Sequence, residues 1–189
     1  MHTPEHVRQQ LNETVESKKT VFEGKVVDID HWTVKMPDNR TSLREIIRHP
    51  GAAAVVPVDD GGNVILVHQF RHAIGRVTLE IPAGRLEPDE DPYVCAAREL
   101  EEETAKKTGK LVLLNAMASS PGIFSEVIHI YLATELSEGR FHFDRDEFIH
   151  VRTIAMDDAI DMVMTGQIQD AKTIVGLFAA REYLRKNGE

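Results

Sequence analysis

The chain has a single cysteine, Cys95, among 189 residues, which excludes an internal disulfide. Cys95 stands beside Ala96 and Ala97 in a helix-forming stretch, where packing accounts for it better than reactivity does. Long apolar runs are also missing. The best one, Ala52 to Val58, is broken by Pro57 and is far too short to span a membrane. The opening MHTPEHVRQQLNETVESKK lacks the apolar region of a secretory signal, so the cytoplasm is the expected compartment. Basic charge is in deficit: 22 Lys and Arg against 31 Asp and Glu give a net charge of −9. Nonspecific nucleic-acid binding depends on basic surface, so that class of function is excluded, and nothing points to a membrane partner. An anionic ligand would be repelled too, unless a cation bridges it. No repeat, low-complexity stretch or Cys/His zinc spacing occurs.

What is present suits a soluble globular protein: 42% hydrophobic and 28% charged residues. The length allows one full core, with or without a small appendage. Residues 1 to about 18 read as a short polar helix or loose chain. Short strands follow over Val21–Asp28, His31–Met36 and Ser42–Arg48, with a turn at Pro37-Asp38-Asn39. A sheet this small needs a partner surface. The expected division is therefore a β-rich segment over 1–49 and a main domain over 50–189. In the latter, strands are expected at Ala52–Val58, Val64–Gln69, Leu111–Ala118, Val127–Ala133 and Phe148–Ile154. A helix is expected through Met156, Ile160, Val163 and Met164, ended by Gly166, and a last one is capped by Asp170. Strands interleaved with helices predict a mixed sheet between helical layers, an α/β fold.

One stretch organises the rest. Gly84 is followed six residues later by Glu90, and eight further on by Arg98-Glu99-Leu100-Glu101-Glu102-Glu103. Asp91-Pro92 marks a helix start, with Asp91 as N-cap and Pro92 at the first helical position. Glu99, Glu102 and Glu103 then fall at i, i+3 and i+4, so their carboxylates share one face. Three such acids repel one another. Arg98 is expected to reach Glu102 one turn on and Glu90 in the preceding loop, but one guanidinium cannot neutralise the group. Hard divalent cations that accept carboxylate oxygens, Mg²⁺ with phosphate substrates among them, are the natural complement. A solvated acidic face on an ordinary helix is the competing reading.

This spacing (Gly, five residues, Glu, seven residues, Arg-Glu-apolar-x-Glu-Glu) resembles the Nudix box of hydrolases that act on nucleoside diphosphates linked to another moiety. Ala105 departs from the pattern, standing where the box has a helix-ending glycine. Alanine would be strained there, so the helix is expected to run about one turn further, toward Gly109. The resemblance extends to Arg44–Ala52, Gln69-Phe70-Arg71, Glu80–Gly84, Ser119–Gly122 with Ser125-Glu126, and Asp170–Thr173, all similar to the ADP-ribose pyrophosphatase branch. It implies a Nudix α/β/α sandwich and a homodimer that exchanges its N-terminal strands.

Carried over by position, the resemblance makes Glu99 and Glu103 the main metal ligands, with Glu102 close by and the Ala83 carbonyl helping. The expected cofactor is Mg²⁺, with Mn²⁺ as an alternative. Arg71 would face the diphosphate; a sheet-edge surface charge is its plainer reading. Arg44 and Arg48, in the exchanged segment, would reach a neighbour's site, and surface salt bridging accounts for them nearly as well. Trp32 suits stacking on adenine, and equally core or dimer packing. Glu147, in the loop Phe143–Phe148, is the candidate base beside Glu102 and Glu103, against a solvated turn carboxylate at even odds. The implied reaction is hydrolysis of ADP-ribose or a related nucleoside diphosphate sugar. A GDP-mannose-type hydrolase and a catalytically silent nucleotide-binding module are the alternatives.

Overall fold

The computed structural model describes residues 3–141 and 148–188. They form two compact units, one of residues 3–49 with Ser120–Glu126, the other of Pro50–Ser119 with the described residues from Val127 onward. Ser120–Glu126 is thus drawn out of the stretch assigned by sequence to the main domain. No described helix is long and apolar enough to cross a membrane.

The first unit holds a short helix α1 (Glu5–Leu11) and an antiparallel sheet of β1 (Thr14–Glu23), β2 (Asp28–Lys35) and β3 (Thr41–Arg48), in that order. β1 begins seven residues before the expected Val21. All ten of its residues are exposed, so no alternation of buried and polar positions marks it. The chain turns after Glu23, where Gly24 N–H donates to the Val27 carbonyl, and this takes residues 24–27 out of the expected strand. Ser120–Glu126 is bound to β3 by Ile47 N–H to the Ile123 carbonyl and Ser125 N–H to the Ile47 carbonyl, at 2.8 and 2.9 Å.

The second unit is built around β4 (Ala52–Pro57), all six of whose residues are buried. β4 pairs parallel to β9 (Val127–Glu138) and antiparallel to β7 (Ala83–Arg85); β8 (Lys106–Ala118) completes a mixed sheet ordered β7-β4-β9-β8. A second, antiparallel sheet places β5 (Asn63–Arg71) between β10 (His150–Ala155) and β6 (Arg76–Glu80). Because side chains alternate along a strand, β4 feeds two cores. Ala52, Ala54 and Val56 pack with Ile81, Ile130, Ile160 and Leu177, beneath α3 (Met156–Met164) and α4 (Ala171–Asn187). Ala53 and Val55 face Cys95, Ala96 and Leu100 of α2 (Pro92–Thr104). Helices therefore cover both faces, the expected α/β/α sandwich. α4 comes close to the sheet at Gly176, where a Cβ would lie 3.0 Å from both Ile81 Cδ1 and Val56 Cγ2.

The expected extension of α2 toward Gly109 does not occur. The helix ends at Thr104, and Ala105 itself takes the left-handed conformation (φ 52°, ψ 34°), its N–H bonded to the Glu101 carbonyl. A non-glycine residue there costs about 1–2 kcal/mol. Long-range pairing offsets it: Gly139 N–H donates to the Ala105 carbonyl at 2.7 Å, and Lys106 at once enters β8 opposite Glu138. Strands β6 and β7 were not anticipated, although Arg76-Val77-Thr78 after Gly75 carries β-branched residues.

Candidate active site

Helix α2 starts as its sequence dictates. Asp91 accepts from Tyr93 N–H at 2.8 Å, with Pro92 following. The loop before it folds onto itself through Glu87 N–H to Glu90 Oε2, 3.0 Å. That contact holds the Glu90 carboxylate against Arg98, which binds it in a fork: Nε to Oε1 at 2.9 Å and Nη2 to Oε2 at 3.0 Å. Arg98 Nη1 then donates to Glu99 Oε1 at 2.6 Å and to Glu102 Oε2 at 2.9 Å. One guanidinium thus serves three carboxylates. The Arg98 hydrogen bonds draw Glu90 down to about 2, and Glu90 in turn raises Arg98 above its ordinary value.

Glu99 and Glu103 are buried, at 9% and 4% exposure. Glu103 Oε2 accepts from Ala83 N–H at 3.2 Å, which draws the segment before the box onto the acid face. Glu99 lies across Gly84: a Cβ on that residue would fall 1.7 Å from Glu99 Oε1. The glycine that opens the box is therefore a steric requirement of Glu99. Cys95 packs beneath, where burial pushes its thiol up to about 12 and keeps it inert.

A second charged group borders this face. Arg71, at the end of β5, binds Glu80 of β6 in a fork, Nε to Oε1 at 2.8 Å and Nη2 to Oε2 at 2.7 Å. Glu80 is 2% exposed and also receives Lys172 Nζ and Thr78 Oγ1. Burial pushes Glu80 up, but Arg71, Lys172 and Thr78 outweigh it and hold it at about 2. Arg71 is raised mainly by the Glu80 hydrogen bonds, and the more distant charges of Asp170 and Glu103 add to the effect. Sequence reasoning assigned no role to Glu80 or Lys172. The signal was an acid flanked by the apolar Leu79 and Ile81, a position that demands a buried cation.

The structure thus brings Ala83, Glu99, Glu102, Glu103 and Arg71 into one region of the second unit. Trp32, Arg44 and Arg48 belong to the first unit and are engaged there. Arg44 pairs with Glu13 (Nε to Oε2, 3.1 Å), and Arg48 with Asp28 (3.0 Å) and Asp30 (2.7 Å). Trp32 Nε1–H donates to Asp30 Oδ2 at 3.1 Å, with Lys18 Nζ 4.0 Å from the ring centroid. Glu147 lies outside the described residues.

A carboxylate-rich helix face on an α/β/α sandwich, bordered by a forked arginine, is a site for metal-assisted hydrolysis of an anionic compound. The chain belongs to the Nudix family, whose domain matches residues 48–175, and it is a Nudix hydrolase. An ADP-ribose pyrophosphatase of Bacillus subtilis (strain 168) is 44% identical over 165 residues, covering 86% of this chain and 89% of that one. The methanol dehydrogenase activator of Bacillus methanolicus is 40% identical over 159 residues, covering 83% and 86%. A crystal structure of an ADP compounds hydrolase shares the fold, with a TM-score of 0.83 over 94% of this chain and 96% of that one at 21% identity.

Nudix hydrolases generally need divalent metal ions, and the residues here fit one. The donors are hard carboxylate oxygens, and the one guanidinium that pairs with two of them, Glu99 and Glu102, is shared with Glu90. Among the described residues, no group of three or more His, Cys, Asp or Glu side chains is placed to hold a metal ion by itself. A cation such as Mg²⁺ completes its shell with water and substrate phosphate.

Proposed function

We propose that this protein hydrolyses the diphosphate of ADP-ribose or a related nucleoside diphosphate sugar, giving a nucleoside monophosphate and a sugar phosphate, in the cytoplasm and with Mg²⁺. The observation that carries this reading is the pair of buried carboxylates, Glu99 and Glu103, fixed against Gly84 and Ala83 beside the forked Arg71. The 44% identity to an ADP-ribose pyrophosphatase supports the substrate class.

Glu99 and Glu103, with Glu102 beside them and the Ala83 carbonyl, would hold the metal, which supplies a more acidic bound water and neutralises phosphate charge. The protein's own residues do the rest. Arg71 binds the diphosphate and orients it against the acid face. Arg98 keeps Glu99 and Glu102 in place. Water adds to one phosphorus, the bridging P–O bond breaks, and each product leaves with one phosphate. Glu102, Glu103 and Glu147 are the carboxylates available to take the water's proton.

The first unit is read as an exchanged segment in a homodimer that brings Trp32, Arg44 and Arg48 to a partner's site. Exposed Val21, Phe22 and Leu43 on its small sheet support this reading. The test is incubation with Mg²⁺ and ADP-ribose, ADP-glucose, GDP-mannose, diadenosine polyphosphates or ATP, with products resolved by chromatography. AMP should form fastest from ADP-ribose, and Glu103→Gln should cut turnover about 100-fold or more with little change in melting. Near-normal turnover in that variant would sink the metal-ligand assignment. GMP released fastest from GDP-mannose would move the substrate to the neighbouring branch.

A further inference from the structure

Two sequence stretches, Glu80–Gly84 and Asp170–Thr173, lie far apart in the chain and meet in the fold. Thr173 Oγ1 accepts from Ile81 N–H at 2.9 Å and donates to Asp170 Oδ2 at 2.6 Å. Asp170 Oδ2 also accepts from Thr173 N–H at 2.9 Å, capping α4, and from Lys172 Nζ at 3.1 Å. These bonds already join α4 to the segment leading into β7. Lys172 then continues to Glu80, and Glu80 to Arg71, so the charges alternate: Asp170, Lys172, Glu80, Arg71.

The outer half of that chain is not needed to hold α4. Burying a carboxylate beneath two cations is expensive, and an apolar pair would join β5 to β6 as well or better. What the ionic arrangement supplies is aim. The Glu80 side chain is 3% exposed and the Arg71 side chain 41%, so the carboxylate lies under a guanidinium that reaches the surface. The fork uses Nε and Nη2, and Nη1 has no partner among the described residues. Two parallel hydrogen bonds fix the plane of a guanidinium as one cannot. Lys172 and Thr78 hold the Glu80 carboxylate in turn.

We propose that Glu80 is a positioning residue, backed by Lys172, that fixes the Arg71 guanidinium so that Nη1 is presented to the substrate diphosphate. The proposal rests on the reading that Arg71 binds the diphosphate. It also explains why the two stretches occur together: the second supplies the cation that keeps the Glu80 carboxylate charged and turned toward Arg71.

The test is a double-mutant cycle read by calorimetric binding of α,β-methylene ADP, a diphosphate that cannot be cleaved, with Mg²⁺ present. Arg71→Ala should raise Kd about tenfold or more, and Glu80→Gln should raise it several-fold, about threefold at least. In the Arg71→Ala background, Glu80→Gln should change Kd little, because the group it aims is gone. A purely structural Glu80 would lower the melting temperature and shift Kd by the same factor in both backgrounds. That result, or unchanged binding in Glu80→Gln, overturns the proposal. If Glu80→Gln does not fold, Lys172→Met is read in the same cycle, with a smaller rise in Kd expected. ADP-ribose turnover by the unmodified protein is measured separately. Turnover without coupling leaves the proposed function standing and removes the positioning role; coupling without turnover does the reverse.

Discussion

Replacing Gly84 with alanine would put a methyl carbon 1.7 Å from Glu99 Oε1, 2.1 Å from its Cδ and 2.6 Å from Oε2. No side chain tolerates such contacts, so the carboxylate must swing away by well over an ångström. The backbone is not the obstacle, because Gly84 does not have a positive φ. The displaced Glu99 gives up its 2.6 Å bond to Arg98, which keeps Glu90 and Glu102. Losing that one of several charge-assisted bonds costs about 1–2 kcal/mol. For a chain of this length, that lowers the melting midpoint by about 2–8 °C. With Glu99 as the proposed metal ligand, the effect on turnover is far larger, since a catalytic group misplaced by an ångström costs about 100-fold. Circular dichroism melts and Mg²⁺-dependent ADP-ribose hydrolysis, measured on the same preparation, separate the two effects. Turnover within twofold of the unmodified protein would refute the requirement that Glu99 lie across Gly84. A collapsed spectrum at 20–25 °C would show that the glycine serves backbone packing instead.

Glu80 and Glu90 are both held at about 2, so their folded forms prefer to stay ionised. The stability they contribute is complete above about pH 4.5 and is lost as pH falls from there toward 2. For Glu80, which is 2% exposed, this amounts to about 3 kcal/mol. Denaturant midpoints measured from pH 6 to pH 2 should fall through this window, less steeply in Glu80→Gln; identical slopes would refute the assignment. Ala105→Val places a β-branched residue at φ 52° and should cost about 2 kcal/mol by denaturant titration, whereas an unchanged midpoint would mean the turn relaxes freely. Cys95, buried with its thiol pushed up to about 12, should resist a thiol reagent at pH 8 in the folded protein and react fully in denaturant. Rapid labelling of the native protein would contradict that burial.

The box helix was legible because its determinants are local. Asp91 and Pro92 set its start, and the periodicity of good helix formers aligned Glu99, Glu102 and Glu103. The reach of Arg98 to Glu102 and Glu90 followed from helix spacing and a short loop, and the structure adds Glu99 to that set. Where reading failed, the cause was distant in sequence. The left-handed Ala105 is stabilised by Gly139 and by pairing across β8 and β9, which no window around residue 105 contains. Strand β7 is three residues long and is defined only by its ladder to β4. Glu80 and Lys172, 92 positions apart, become partners only when α4 docks beside β6. β1 alternates nothing because it buries nothing.

The sharing of Arg98 among Glu90, Glu99 and Glu102 bears on the order in which the enzyme is assembled. A helix face with so many like charges would resist folding unless neutralised, and a protein that relied on the metal for this would unfold on chelation. Here the counter-charge is covalently part of the same helix. Folding therefore comes first and loading second. The deficit that remains, one positive charge against three negative, is what a dication would balance in the function proposed above. On that reading, EDTA should silence the enzyme without melting it, and a melting midpoint lowered by chelation would refute it.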